Sequence, residues 1–160
     1  MMKILLIFRW LLISFSLGLV LGCQPTRRVL NFDTSVELQF STSNMVNPDR
    51  DGRASPVIVR VYKLADERQF SREDFLNLYE DADNRLGKDL LGTVVLKELA
   101  PGESRKERIE LEPKVKYVGL LAEFIRYQDA QSIQLVSIVD HKTTKVSVSL
   151  SGTQLRVKKL

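Results

Sequence analysis

Asn47, Asp49, Asp51 and Gly52 lie in the stretch NPDRDG, with oxygen-bearing side chains at alternate positions and a glycine at the sixth. That is the first half of a calcium loop, in which alternate side-chain oxygens surround the ion and the glycine permits a sharp turn. The second half is missing. The closing bidentate glutamate would fall at Ile58, and two carboxylates without it leave a divalent ion under-coordinated. Asn, Pro, Asp and Gly are also what a tight loop is made of, so no metal is expected here.

Other side chains that could do chemistry are sparse. His141, the only histidine, falls in the polar turn Asp140 to Thr144; a general base needs partners around it, and a turn histidine is more often simply solvated. The chain has no G-x-S-x-G elbow, no H-E-x-x-H, no phosphate-binding G-x-x-x-x-G-K-[ST] and no G-x-G-x-x-G. Catalysis requires a nucleophile, a base and an orienting group within mutual reach. The expectation is a protein that is not an enzyme and has no cofactor.

The elements that would position the NPDRDG stretch are strands. Val36, Leu38 and Phe40 alternate with Glu37 and Gln39, and Val57, Val59 and Val61 alternate with Ile58, Arg60 and Tyr62, the two-residue period of a half-buried strand. Between them, Ser41 to Ser55 is polar and turn-rich, interrupted only by Met45, Val46 and Ala54. A connection that long in a compact domain is usually functional or disordered. Met45 and Val46 have two readings: packed back as a small satellite core, or offered as the apolar centre of an interface with a polar rim.

After Leu64 the period changes. Ser71 with Asp74 predicts a capping box, Phe70 with Phe75 a hydrophobic staple, and Phe75, Leu78, Tyr79 and Ala82 share one helical face. From Thr93 the two-residue period returns. Strands are predicted at Val94–Leu99, Arg105–Leu111, Tyr117–Phe124, Ile133–Val139, Lys145–Leu150 and Thr153–Val157, with turn residues between them. About eight short strands predict a mainly β fold, an antiparallel β-sandwich with a helical insertion after the second strand.

The amino-terminal region reads differently. Met1 to Arg9 carries Lys3 and Arg9 and no acid, and Trp10 to Leu21 is mainly apolar, the layout of a signal sequence and too short to span a bilayer comfortably. It ends in Val20-Leu21-Gly22-Cys23, which resembles the lipobox of bacterial lipoproteins. That resemblance implies cleavage before Cys23 and acylation of Cys23; a secretory signal with an incidental cysteine and an uncleaved anchor are the other readings. The expected division is residues 1–22 as signal peptide, 23–31 as lipidated tether and 32–160 as one sandwich domain. Gln24 stands where an aspartate would retain such a protein at the inner membrane, so the anchor is expected in the outer membrane, facing the periplasm.

Removing residues 1–22 of 160 leaves 138, enough for one domain with a real core. It also removes two of 24 basic residues and none of 20 acidic ones, leaving a net charge of +2, and nothing in that balance recommends nucleic acid. Cys23 is the only cysteine, so no disulfide can form within the chain.

Several motifs in order carry a family resemblance: the lipobox, Asn47-Pro48-Asp49, the strand SPVIVRVYKL, Phe70 with Asp74-Phe75 and Leu78-Tyr79, Leu86-Gly87-Lys88-Asp89-Leu90-Leu91, Leu99-Ala100-Pro101-Gly102-Glu103 and Tyr117-Val118-Gly119. From Cys23 to about Arg126 the chain resembles the outer-membrane lipoprotein of the type VI secretion system, the TssJ (SciN/VasD) family. Beyond Arg126 the likeness weakens, and Ser132-Ile133 stands where the family often has Trp-Arg. The resemblance implies a transthyretin-like β-sandwich and a periplasmic partner, the C-terminal domain of the inner-membrane protein TssM. It also implies that the loop Ser41 to Pro56 makes that contact, with Asn44, Met45, Val46, Asn47, Pro48, Asp49, Arg50 and Asp51 at its tip. A function of another class remains open: a periplasmic module for a small ligand or glycan. It would need an aromatic-lined concavity, whereas Trp10 leaves with the signal peptide and most other aromatics fall on core faces.

Overall fold

The computed structural model describes residues 33–160. Cys23, the signal peptide and the tether lie outside the described residues. Eight strands form in chain order: β1 (Thr34–Thr42), β2 (Val59–Leu64), β3 (Leu90–Val95), β4 (Ser104–Leu111), β5 (Tyr117–Ala122), β6 (Ile133–Ser137), β7 (Thr143–Ser151) and β8 (Gln154–Lys159). A helix α1 (Phe75–Leu86) falls between β2 and β3, flanked by short 3-10 turns at Phe70–Arg72 and Gly87–Asp89. The strands make two four-stranded sheets, in the orders β4-β1-β7-β8 and β3-β2-β5-β6. The fold is the expected β-sandwich with its helical insertion after the second strand. One pairing departs from the antiparallel rule: β1 runs parallel to β7, from Ser35 opposite Thr143 to Thr42 opposite Leu150.

Side-chain alternation explains the layers. Val36, Leu38 and Phe40 of β1 and Val146, Val148 and Leu150 of β7 meet Val59, Val61, Val118 and Leu120 from the other sheet in one buried core. The β4-β1-β7-β8 sheet is buried on that face alone, and its sequences alternate cleanly, as one-sided sheets do. The β3-β2-β5-β6 sheet is covered on both faces. A second cluster on its outer side unites Tyr62, Leu64 and Leu121 with Phe70, Leu78 and Leu86, so β5, YVGLLA, reads as a continuous apolar run.

Several predicted boundaries shift for identifiable reasons. The regular ladder of β2 begins at Val59 rather than Val57, which makes a single bridge to Leu99. The third strand starts at Leu90 instead of Val94, because Leu90, expected with Leu91 to continue the helical packing, pairs with Leu64 of β2, and Leu91 is the extra residue of a bulge between that pair and Lys63–Gly92. Ser71 does not cap the helix. It lies in the preceding 3-10 turn, while Asp74 accepts from the Asn77 amide and takes the N-cap position. The cause is Phe70, buried in its own turn at 5.8 Å from the Tyr62 ring; that seat uses up Phe70–Arg72, and the helix starts afresh at Phe75. Tyr62 also donates its hydroxyl to the Leu78 carbonyl at 2.8 Å, and the helix kinks three residues later at Asp81. A side chain bonding into the helical ladder is one of the few causes of a sharp kink.

Phe70 reaches the sheet because residue 119 is glycine: a Cβ built there would overlap the Phe70 ring. Gly119→Ala is therefore expected to lower stability by about 1–3 kcal/mol through overpacking, read as a fall in the denaturation midpoint. An unchanged midpoint would show that the insertion does not rest on this contact.

Candidate functional site

The connection from β1 to β2 crosses from one sheet to the other and is ordered by hydrogen bonds along its length. Ser43 donates its backbone N–H to the Leu150 carbonyl, Asn47 to that of Gly152 and Ser55 to that of Val46. The Gly102 amide donates back to Ser43, and the side chain of Asn44 lies so close to Gly102 that a Cβ there would meet its Oδ1. The loop is thus tied to the β7–β8 turn and to the Pro101-Gly102 turn.

Asn47 is the hinge of this arrangement. It is 2 % exposed, and its backbone takes a positive φ of 49°, a region Asn enters more readily than most residues. Its Nδ2 donates to the Pro56 carbonyl at 2.7 Å and its Oδ1 accepts from the Ile125 amide at 2.8 Å. One side chain therefore joins the inner part of the loop to its far end and to the segment that follows β5. Val46 beside it is fully buried in the main core.

The tip residues fall into three groups. Asn44, Met45, Arg50 and Asp51 are exposed, Met45 at 59 %; Pro48 and Asp49 are half-buried; Val46 and Asn47 point inward. Of the two apolar residues left open by the sequence, Val46 is core and Met45 is presented to solvent. Ile125, 49 % exposed and joined to Asn47, lies next to this surface. It was not anticipated, and no local pattern marks it, because Asn47 reaches it across 78 residues.

The carboxylates of the calcium-like stretch face a cation of the chain itself. Asp49 Oδ1 accepts from the amides of Asp51 and Arg53, its Oδ2 pairs with Arg53 Nε at 3.0 Å, and Asp51 pairs with the same guanidinium at 2.9 Å. The Arg53 amide first, then its guanidinium and the Asp51 amide, hold the Asp49 carboxyl below its ordinary value. Among the described residues no group of three or more His, Cys, Asp or Glu could hold a metal ion. His141 sits in a turn with positive φ, donates its amide to Thr34 and lies 3.8 Å from the Asp140 carboxylate.

A second concavity, an open groove of about 550 Å3, runs between the start of α1 and the residues leading into β6, with Phe75, Tyr127 and Ile133 in its lining. The Phe75 ring stacks on both Tyr79 and Tyr127, with centroids 5.6 and 4.8 Å apart, and the Arg60 guanidinium lies 4.5 Å over Tyr79. Arg60 is itself paired with Glu123. These rings are spent on one another, bracing the helix on the sheet. Ser132 is buried, and among the described residues its hydroxyl has no hydrogen-bond partner.

Fold and loop define a β-sandwich scaffold with a braced presenting loop at one end. Residues 34–153 match the family described as "Type VI secretion lipoprotein, VasD, EvfM, TssJ", and the chain belongs to that family of membrane-bound secretion-system lipoproteins, which is not an enzyme family. Among solved structures, the lipoprotein TssJ1 of Pseudomonas aeruginosa superposes with a TM-score of 0.74 at 24% identity, over 80% of this chain and 97% of that one. Lip of Serratia marcescens, a membrane-bound component of the type VI secretion system, gives 0.72 at 21%, over 80% and 98%. A chain of the structure described as the TssM C-terminal domain from EAEC gives 0.65 at 20%, over 79% and 99%. No curated protein sequence matches the chain.

Two measurements check the loop. Asn47→Ala removes both bonds of a buried side chain and leaves the Pro56 carbonyl and Ile125 amide without them; the expected loss is about 1–3 kcal/mol, with faster hydrogen exchange at the Ile125 amide, and unchanged exchange there would refute the pin. For Asp49 the sign is that of a depressed carboxyl: its contribution is present above the ordinary value of 3.8 and is lost as pH falls through the lower folded value. An NMR titration of the Arg53 amide should therefore show a midpoint below 3.8, moving upward in Arg53→Gln. A midpoint at or above 3.8 in the natural chain would contradict the Asp49–Arg53 arrangement.

Proposed function

We propose that the chain is a lipid-anchored assembly component of the type VI secretion trans-envelope complex. In this reading residues 1–22 are removed, acylated Cys23 holds the chain in the outer membrane, residues 23–31 are a tether and residues 32–160 hang in the periplasm. The exposed part of the β1–β2 loop then binds the periplasmic C-terminal domain of TssM. The chain acts as a connector and performs no catalysis.

One observation carries the reading: a loop whose interior residues, Val46 and Asn47, are locked into the sandwich while Met45, Arg50 and Asp51 project from it. Such a loop is ordered before it meets a partner, which lowers the entropic cost of binding. An exposed apolar residue within a charged rim is the ordinary make-up of an interface centre. The layout of β1 adds a direction. The chain enters β1 at Thr34 and leaves it for the loop after Thr42, eight residues on, so the tether side and the loop side of the domain are opposite ends of one strand about 26 Å long. Acylation suits the role, because each buried methylene contributes about 0.8 kcal/mol and two or more chains hold a protein stably on a bilayer.

The inward position of Val46 and Asn47 dictates how to test this. Replacing the whole tip would unpin the fold, so the informative variant is Met45→Ser with Arg50→Ser and Asp51→Ser. Its melting point should match the parent, as surface changes usually do, while capture of the TssM periplasmic domain weakens by roughly tenfold or more. Undiminished affinity would rule out the loop as the contact. Cys23→Ser should leave the chain unacylated and stop secretion.

A further inference from the structure

We propose that the uncovered face of the β4-β1-β7-β8 sheet lies against the anionic phospholipid surface to which the chain is tethered. The inference rests on the lipid-anchor reading above and adds an orientation and a lipid chemistry to it.

The face is set by register. Lys106 pairs across to Gln39, Gln39 to Ser147 and Ser147 to Lys158; Arg108 pairs to Glu37, and Glu37 to Lys145; Ser149 pairs to Arg156. Direct cross-strand partners share a face, and these residues alternate with the buried Val36, Leu38, Phe40, Val146, Val148 and Leu150. The outward side thus carries five cations, Lys106, Arg108, Lys145, Arg156 and Lys158, all exposed. Against them stand the carboxylates of Glu37 and Glu110. Gln39 first, and then Lys145, Lys106 and Arg108, hold Glu37 below its ordinary value, which shows how closely the cations are grouped.

The rest of the face is small and polar. Ser41, Ser104, Ser147 and Ser149 occupy it, and α1 packs on the opposite sheet. A shallow depression of about 320 Å3 lies among Gln39, Ser41, Ser104, Lys106 and Ser147, where an ammonium, an amide and hydroxyls can donate to a phosphate headgroup. The cation excess matches an anionic leaflet, since juxtamembrane Lys and Arg are drawn to such surfaces within a Debye length. The tether also reaches: β1 is in this sheet, and the ten residues from Cys23 to Phe32 span at most about 35 Å. That length lets the sheet lie flat on the bilayer with the β1–β2 loop displaced sideways toward a partner.

The test uses the mature acylated chain in vesicles, where acylation of Cys23 leaves no native free thiol. A fluorophore is placed through Ser147→Cys on the sheet face or, as control, through Ser71→Cys on the helical side. Quenching by nitroxide-headgroup lipid is compared in phosphatidylcholine alone and in phosphatidylcholine with phosphatidylglycerol. Label at 147 should be quenched severalfold more than label at 71, in the anionic vesicles only, and high salt should remove the difference. Charge reversal at Lys106, Arg108 and Lys145 to Glu should also remove it, at about fivefold per cation; the salt series on the unreversed chain gives the same readout should that variant not fold. Equal quenching at the two positions, indifference to lipid charge, or displacement by inorganic phosphate beyond its ionic-strength effect would overturn the proposal while the chain still floats with vesicles. A chain that does not float at all overturns the anchor as well.

Discussion

Asn47 solves a problem that the topology creates. β1 and β2 are consecutive in sequence but belong to different sheets, so the chain must cross a gap of about 10 Å between layers with its backbone groups satisfied. The crossing cannot use ladder bonds. It uses the carboxamide of one buried residue, which donates to Pro56 and accepts from Ile125, together with backbone bonds to the turns at Gly102 and Gly152. Asparagine fits on two counts. Its side chain both donates and accepts, and its backbone tolerates the positive φ the crossing requires. With this residue in place, a long connection becomes part of the sandwich end, and its outermost residues stand on a fixed base.

The two faces of the sandwich divide the remaining work. One sheet is covered by the helical insertion, anchored by Phe70 over Gly119 and by the Tyr62 hydroxyl on the helix backbone. Burial holds that hydroxyl in its neutral form, raising its pKa to about 12. Stacked Tyr79, Phe75 and Tyr127 close the same layer over Arg60. Among the described residues the other sheet has no such cover, and it carries Ser, Gln, Lys, Arg and Glu outward. A domain this small has only so much apolar surface to bury, and here it is concentrated in the central core and under the insertion.

Much of this was legible from the residues. Alternation in β1, β4 and β7 placed those strands to within two residues at each end, because each has one wet face. Where a strand is buried on both sides or bends, period-2 reading loses its signal. Leu90 and Leu91 looked helical because they follow a helix, and Ser71 looked like a cap because the long-range seat of Phe70 is invisible locally. The long loop is marked by its composition and its tip, Asn44 to Asp51, was implied by the family resemblance, but the division between inward Val46 and Asn47 and outward Met45 was not legible, since it depends on Pro56 and Ile125. What the calcium-like spacing does not reveal is the cation that its carboxylates meet: Arg53 lies four residues after Asp49 and two after Asp51, a spacing no ion-binding template contains.

That substitution of a guanidinium for an ion has a physical consequence for the loop. A divalent cation would order two carboxylates only while its local concentration exceeded its dissociation constant. Arg53 is covalently present and presents a planar fork that meets Asp49 and Asp51 together. Arg53 and Asp51 are largely solvated and Asp49 is half-buried, so the gain in stability is small. The gain in geometry is different in kind, because the bonds from Asp51 and Arg53 amides to Asp49 fix the backbone of the turn as well as its charges. A loop organised this way keeps one shape whatever ions surround it. Such constancy is what the proposed connector role asks of its presented surface, Met45 within a charged rim, which that role requires to be complementary before contact is made.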